Sequence, residues 1–184
     1  MALTIDTTWG TVTANSYCSV QESIDYHARR YHTTETWTDV SSTDKTSLLV
    51  WATSLIDQLF KWDGNKVLQS QALQCPRYGL YDINSWPIDM VTKPAWIADA
   101  TAEYAYRLYQ SDLVAQYDSD QSSAGSSDLE GFKEITVGPI TLKSSIGESS
   151  KELNSITTMI PTSVLLILKP YGTIFTSRQR RIYR

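Results

Sequence analysis

The stretch Leu48-Leu49-Val50-Trp51-Ala52-Thr53-Ser54-Leu55-Ile56-Asp57-Gln58-Leu59-Phe60 decides the fold class. Leu48, Leu49, Trp51, Ala52, Leu55, Ile56, Leu59 and Phe60 recur three and four residues apart, which places them on one broad stripe of a helix. The helix is expected to start near Ser41 or Ser42 and to end at Trp62-Asp63-Gly64-Asn65, with Gly64 as its left-handed cap. Working outward, Ser19-Val20-Gln21-Glu22 has the form of a capping box: the serine hydroxyl accepts from the third helical N–H, and the glutamate reaches back to the cap. Val20, Ile24, His27 or Ala28, and Tyr31 then follow at helical spacing. The threonine-rich run Thr33–Thr38 favours a loop, because its β-branched and hydroxyl side chains compete with helical bonding.

Downstream, Pro94 suits a first helical turn. Ile97, Ala100, Tyr104 and Leu108 line one face of a third long helix ending near Leu113. Between these helices, residues 66–92 are irregular and punctuated by Pro76, Gly79, Asn84 and Pro87. So long a loop in a compact domain has to be pinned, by its own aromatics or by a partner. Residues 118–128 are polar, small and acidic, as in a flexible linker or loop tip. The period then changes to two: Phe132, Ile135, Val137, Ile140 and Leu142 surround Gly138-Pro139, which reads as a β-hairpin or bent strand over 132–145. Pro161 opens a last short helix, Thr162 to about Leu168, closed by Pro170 and Gly172. The expected architecture is mainly α: a bundle of three to four helices with a β-hairpin insertion and an extended basic C-terminal tail. Its parts are a helical bundle over 1–116, a Ser/Asp-rich loop over 117–131, a hairpin plus short helix packing on the bundle over 132–172, and the tail over 173–184.

Composition narrows the function. The 184 residues include 41% hydrophobic side chains, enough for a packed core. Lys and Arg number 16 against 20 Asp and Glu, a net charge of −4, which is a poor start for a protein that lives by neutralising phosphates. The average conceals an asymmetry. Residues 1–177 hold 12 basic and 20 acidic side chains, while Arg178, Arg180, Arg181 and Arg184 add four positive charges at the end. The first residues lack the basic and apolar regions of a signal peptide. The longest aliphatic run, Val164–Leu168, is too short to span a bilayer. Cys18 and Cys75 read as two reduced thiols of a soluble intracellular product without a membrane partner.

Catalytic chemistry finds little support. The two histidines, His27 and His32, fall on or just after the first helix, outside any nucleophilic motif, and read as a helix-surface and a loop residue. Asp99 and Glu103 share a helix face and read as a solvated stripe. There is no phosphate-cradling glycine loop and no CxxC pair, so a non-enzymatic protein without metal or cofactor is expected. Single-stranded nucleic acid is a second class to weigh. The chain has 11 Tyr and 6 Trp, and Arg77-Tyr78, Trp86, Arg107-Tyr109 and Arg181-Tyr183-Arg184 interleave rings with cations in the manner of a stacking platform. Against it stands the acidic body, and the rings of Trp51, Phe60 and Tyr104 fall on apolar stripes expected in the core. The tail is the sharpest local feature. Its arginine forks suit carboxylates or phosphates, and Ile182 and Tyr183 can anchor it on another protein.

Several motifs resemble one family. Residues Ser16–Tyr26 are similar to the opening of the head–tail adaptor, or connector, proteins of tailed bacteriophages. Phe60–Gly64 and Gln71-Ala72-Leu73-Gln74-Cys75-Pro76-Arg77-Tyr78-Gly79 resemble that family's Q-x-L-x-W-P-R loop, with Cys75 where a tryptophan is usual. Val137–Ile140, Ile160–Val164 and Lys169-Pro170-Tyr171 resemble its hairpin and closing helix. Sequences of this look are also labelled DnaT-like ssDNA-binding. The adaptor resemblance implies a structural protein of the virion neck, made in the host cytoplasm. It implies a ring, usually of twelve copies, that sits below the portal protein, lets double-stranded DNA pass unbound and receives a downstream tail or nozzle protein. It further implies that Arg178, Arg180, Arg181, Ile182, Tyr183 and Arg184 dock on the portal. Phe132, Ile135, Val137, Ile140 and Leu142 are then expected at a subunit or tail-protein interface. A single-stranded DNA-binding protein is the first alternative; a head-closure or tail-completion protein one layer further down is the second.

Overall fold

A computed structural model describes residues 3–116, 134–137, 140–143 and 159–174, the two middle segments by their backbone alone. The protein is mainly α. In chain order the elements are α1 (Val20–Ala28), α2 (Thr34–Asp39), α3 (Ser42–Leu59), β1 (Phe60–Trp62), β2 (Asn65–Lys66), β3 (Arg77–Tyr78), α4 (Ala95–Gln110), β4 (Glu134–Val137), β5 (Ile140–Lys143), α5 (Thr162–Leu168), a 3₁₀ turn (Lys169–Tyr171) and β6 (Gly172–Ile174). The chain forms two compact units, Met1–Ser111 with Ile160–Phe175, and Asp112–Met159 with Thr176–Arg184.

The first unit is organised around α3 and α4, which pack on each other, with α1 and α5 both laid against α4. The start of α1 is the capping box in full: Ser19 Oγ accepts from Glu22 N–H, and Glu22 accepts from Ser19 N–H at 2.7 Å. Ser41 caps α3 without the reciprocal backbone bond: its Oγ accepts from Asp44 N–H, and its hydroxyl donates to Asp44 Oδ2. On α3, Leu49, Ala52, Leu55 and Ile56 are buried, as the stripe requires, but Trp51 is 40% exposed, and Lys45 and Thr53 are buried instead. On α4, every residue from Ala100 to Tyr106 is buried, so this helix is the hub of the unit. Alanines at 98, 100, 102 and 105 let neighbouring elements approach it closely.

Four expectations change. Thr34–Asp39 is a helix: Trp37 is buried, its Nε1–H donates to Ser23 Oγ, and the Thr34 hydroxyl donates to the carbonyls of His27 and Arg30. Burial of one large ring outweighs the weak local preference of the threonines. Helix α3 ends at Leu59, and Phe60 begins a strand. Gly64 turns the chain from β1 into β2 with φ 67°. The first tail residues also form a strand, since β6 runs antiparallel to β1 with Trp62 opposite Gly172 and Phe60 opposite Ile174. Only glycine fits at 172, because a Cβ there would overlap the Lys61 carbonyl oxygen. Tyr31 is fully out in solvent, beyond the end of α1.

In the second unit, β4 and β5 pair antiparallel with Glu134 opposite Lys143, Ile135 opposite Leu142 and Val137 opposite Ile140. This is the hairpin read from the period-two pattern.

Candidate nucleic-acid interface

The long segment between β1 and α4 carries most of the surface apolar groups. Of the fourteen large hydrophobic side chains exposed among the described residues, eight lie between Val67 and Val91. Trp86 is 71% exposed, Tyr78 66% and Tyr81 54%, with Ile83, Met90 and Val91 also outward. Exposed large apolar groups gathered in one segment mark a contact surface rather than a folding need.

The segment is held by polar side chains and not by its rings. Gln71 is buried; its Nε2 donates to the carbonyls of Leu73, Gln74 and Pro76, and its Oε1 accepts from Leu68 N–H. Asp57, near the end of α3, accepts from the Tyr17 hydroxyl at 2.6 Å and from Gln74 N–H at 2.9 Å. The Tyr17 oxygen in turn accepts from Cys75 N–H. Burial raises the Asp57 carboxyl to about 6, against the lowering effect of these bonds. A cleft of about 290 Å³ lies beside it, lined among others by Asn15, Thr53, Gln58 and Gln74. Arg77 donates to the carbonyls of Asp63, Gly64 and Gln74, so its guanidinium fastens β3 to the β1–β2 turn. Arg77 and Tyr78 therefore do not act together as cation and ring: Arg77 positions the strand, and Tyr78 is presented to solvent.

Beyond Tyr78 the chain forms a short arm. Leu80 is buried and anchors it, and Ile88 N–H donates to the Leu80 carbonyl. Tyr81 bridges to Pro87. The tip is closed by Asp82, whose Oδ1 accepts from Asn84 N–H and Trp86 N–H while its own N–H donates to the Trp86 carbonyl. Ser85 takes a left-handed conformation, φ 65°, to make that turn. Asp89 repeats the device, accepting from Val91 and Thr92 N–H, and these bonds hold its carboxyl below the usual range. Trp9 Nε1–H donates to the Met90 carbonyl and ties the arm to the N-terminal segment. The arm is thus an ordered projection whose carboxylates are turned to its own backbone and whose rings are outside.

The remaining candidate groups behave as structure. His27 is buried, with ring nitrogens against Thr33 Oγ1 and the Ala102 carbonyl and its ring among Tyr26, Trp37 and Tyr106. Glu103 is fully buried, and it pairs with Arg30 and Arg107 and accepts from the Tyr26 hydroxyl. Neither is the surface group expected from the sequence; both clamp α1 to α4. Asp99 pairs with Arg29 at the rim of the same clamp. Phe60 and Tyr104 are core residues, as expected. Cys18 and Cys75 are unpaired thiols, and no group of metal-ligating side chains occurs among the described residues. No described helix is long and apolar enough to cross a membrane. Arg178, Arg180, Arg181, Ile182, Tyr183, Arg184 and Phe132 lie outside the described residues. Ile135, Val137, Ile140 and Leu142 are described as backbone positions of the hairpin only.

The described residues form a helical body with an ordered arm of exposed rings. The chain belongs to the family described as "Putative DnaT-like ssDNA binding protein", whose model matches residues 1–182. Comparison with curated proteins gives no match, and neither does comparison with solved structures. The family match corrects the functional expectation. The motifs that resembled a head–tail adaptor mark a DnaT-like family instead, and the head-closure alternative goes with the adaptor reading. The portal contact, the ring of twelve and the virion neck rested on that resemblance alone.

Proposed function

We propose that this protein binds single-stranded DNA, stacking unpaired bases on Tyr78, Tyr81 and Trp86 and meeting phosphates with the arginines of its tail. The observation that carries the reading is the concentration of exposed rings on one ordered arm in a chain of this family. Every base has a π-face, so such rings serve any unpaired strand, while a duplex hides its faces in the stack.

The charge balance fits a division of labour. Near the arm, Arg77 is spent on backbone carbonyls and Lys93 is paired with Glu22 at 2.6 Å. Cationic charge for the phosphates comes from the sequence end, where four arginines occupy the last seven positions and no acid follows Glu152. Neutralising about four phosphates gives a salt slope of about −3 in log K against log salt, from about −0.7 per phosphate on a single strand. Affinity then falls about 50-fold between 50 and 200 mM salt.

The test is a titration of labelled oligonucleotide at a series of salt concentrations, with the full chain and with all four arginines changed to glutamine. The full chain is expected to show a slope near −3, and the variant a slope near zero with residual, salt-insensitive binding. An unchanged slope in the variant would overturn the role given to the tail.

A further inference from the structure

Away from the exposed rings, the cleft of about 290 Å³ opens between α3 and the segment that follows Gln71. That volume is at the lower end for a ligand site, so its occupant is small. Val50, Ala72 and Leu73 give it apolar walls, and the half-buried Asp57 lies in its lining. An ionised carboxylate accepts about four hydrogen bonds, and Asp57 receives two, from the Tyr17 hydroxyl and Gln74 N–H. It makes no ion pair among the described residues. The side-chain donors of three neighbours are spent within the protein: Asn15 Nδ2 on the Thr4 carbonyl, Thr53 Oγ1 on the Leu49 carbonyl and Gln58 Nε2 on Ser54 Oγ. The Gln58 amide thereby keeps its oxygen as a second acceptor on the exposed side of the cleft.

We propose that this cleft binds a primary alkylammonium ion, its N–H donors on the Asp57 carboxylate and the Gln58 amide oxygen and its stem along Val50, Ala72 and Leu73. A carboxylate disfavours an anion there, and a divalent metal would find one carboxylate, with no group of metal-ligating side chains among the described residues. Protonation supplies a signature. Burial raises the Asp57 carboxyl to about 6, and the cation binds its ionised form. Affinity is therefore full at pH 7.5, falls as the pH drops through 6, and is about tenfold lower at pH 5, where about a tenth of the carboxyl is ionised. The groups that face Asp57 are Tyr17 ahead of α1, Trp62 on β1, Lys66 on β2, and Gln74 and Cys75 on the following segment. Burial holds Tyr17 and Cys75 protonated over this range, and Lys66 Nζ donates to the Gln71 carbonyl.

The site stands apart from the single-stranded DNA reading, and neither falls with the other. The experiment is an NMR titration of the full chain at about 50 mM salt with n-butylammonium, with 1-butanol, which has the stem without the charge, and with ammonium at matched ionic strength, which has the charge without the stem. At pH 7.5 butylammonium should give saturable shifts at the amides of Thr53, Asp57 and Gln74, with a Kd of about 0.1–1 mM for so small a ligand. Butanol and ammonium should each bind at least about tenfold more weakly. Butylammonium, whose own charge is constant over the range, should bind about tenfold more weakly at pH 5. Asp57→Asn should abolish binding. Ser54→Phe, at an exposed position of α3 that lines the cleft, tests the same site without touching the buried bonds and should weaken binding by about tenfold or more. Butanol binding as tightly as butylammonium, equal affinity at the two pH values, or shifts scattered over the acidic surface without saturation would each overturn the proposal.

Discussion

Changing His27 to glutamine should remove much of the acid sensitivity of this fold. His27 is enclosed by Tyr26, Trp37 and Tyr106, with Arg30 and the Arg30–Glu103 pair close by. Its Nε2 meets a carbonyl, that of Ala102, at 3.2 Å, so the neutral ring carries its proton there. Burial, and secondarily the Arg30 charge, lower its pKa from 6.5 to about 4. Because the folded value lies below the unfolded one, the unfolded chain takes up the proton first. Stability is therefore complete above about pH 6.5 and is lost as the pH falls towards 4. Taken in full, the shift is worth about 3 kcal/mol; solvent screening around Arg30, which is 37% exposed, reduces this to about 2 kcal/mol. Asp57, raised by burial to about 6, works in the opposite sense, since the folded state protonates first and gains stability between about pH 6 and 4. That contribution is common to wild type and variant and cancels in their difference. Urea unfolding at pH 7.5 and pH 4.5 isolates the histidine. The wild type should lose about 2 kcal/mol more than His27→Gln between the two conditions, about 1 M urea in the difference of midpoints. Equal losses in both proteins would refute the reasoning, whatever the variant costs at pH 7.5.

Two further substitutions test the framework. Glu103→Ala leaves Arg30 and Arg107 without their shared buried carboxylate and should cost about 3 kcal/mol, a fall of about 8 °C in Tm; a change below about 2 °C would show the clamp between α1 and α4 to be dispensable. Gly64→Ala places a Cβ against the Tyr78 carbonyl oxygen at a residue with φ 67°. It should lower stability by about 2 kcal/mol and weaken oligonucleotide binding by displacing Tyr78; thermal melting and the titration above check the two effects separately.

The parts of this structure that were legible in the sequence are those set by local periodicity and local bonds. The capping box at Ser19, the apolar stripe of α3, the proline at the start of α4 and the Pro161–Gly172 bounds of α5 each depend on residues a few positions apart. Helix α2 was not legible, because its stability comes from Trp37 entering a space made by Ser23, His27 and Tyr106, the last nearly seventy positions away in the chain. The same reason hid the burial of His27 and Glu103 and the pairing of β1 with β6. At the candidate site, cations nearby in the sequence mark Tyr78 as a ring of interest, but nothing local marks the exposure of Tyr78, Tyr81 or Trp86. The run Asp82-Ile83-Asn84-Ser85-Trp86-Pro87 held the missing signal: an aspartate placed to bond N–H groups two and four residues on, followed by proline, closes a tight turn and sends the ring between them outward. Charge misled for a different reason. A net value of −4 says nothing about a stacking surface whose acids are bound to its own backbone.

The central claim is that the chain holds unpaired DNA on its exposed rings. Its most direct test is the affinity of the full chain for one labelled strand, alone and annealed to its complement, at about 50 mM salt where a few phosphate contacts suffice for detection. The account predicts single-strand binding at least about tenfold tighter than duplex binding. Equal affinity for the two forms, or none for either, would contradict it.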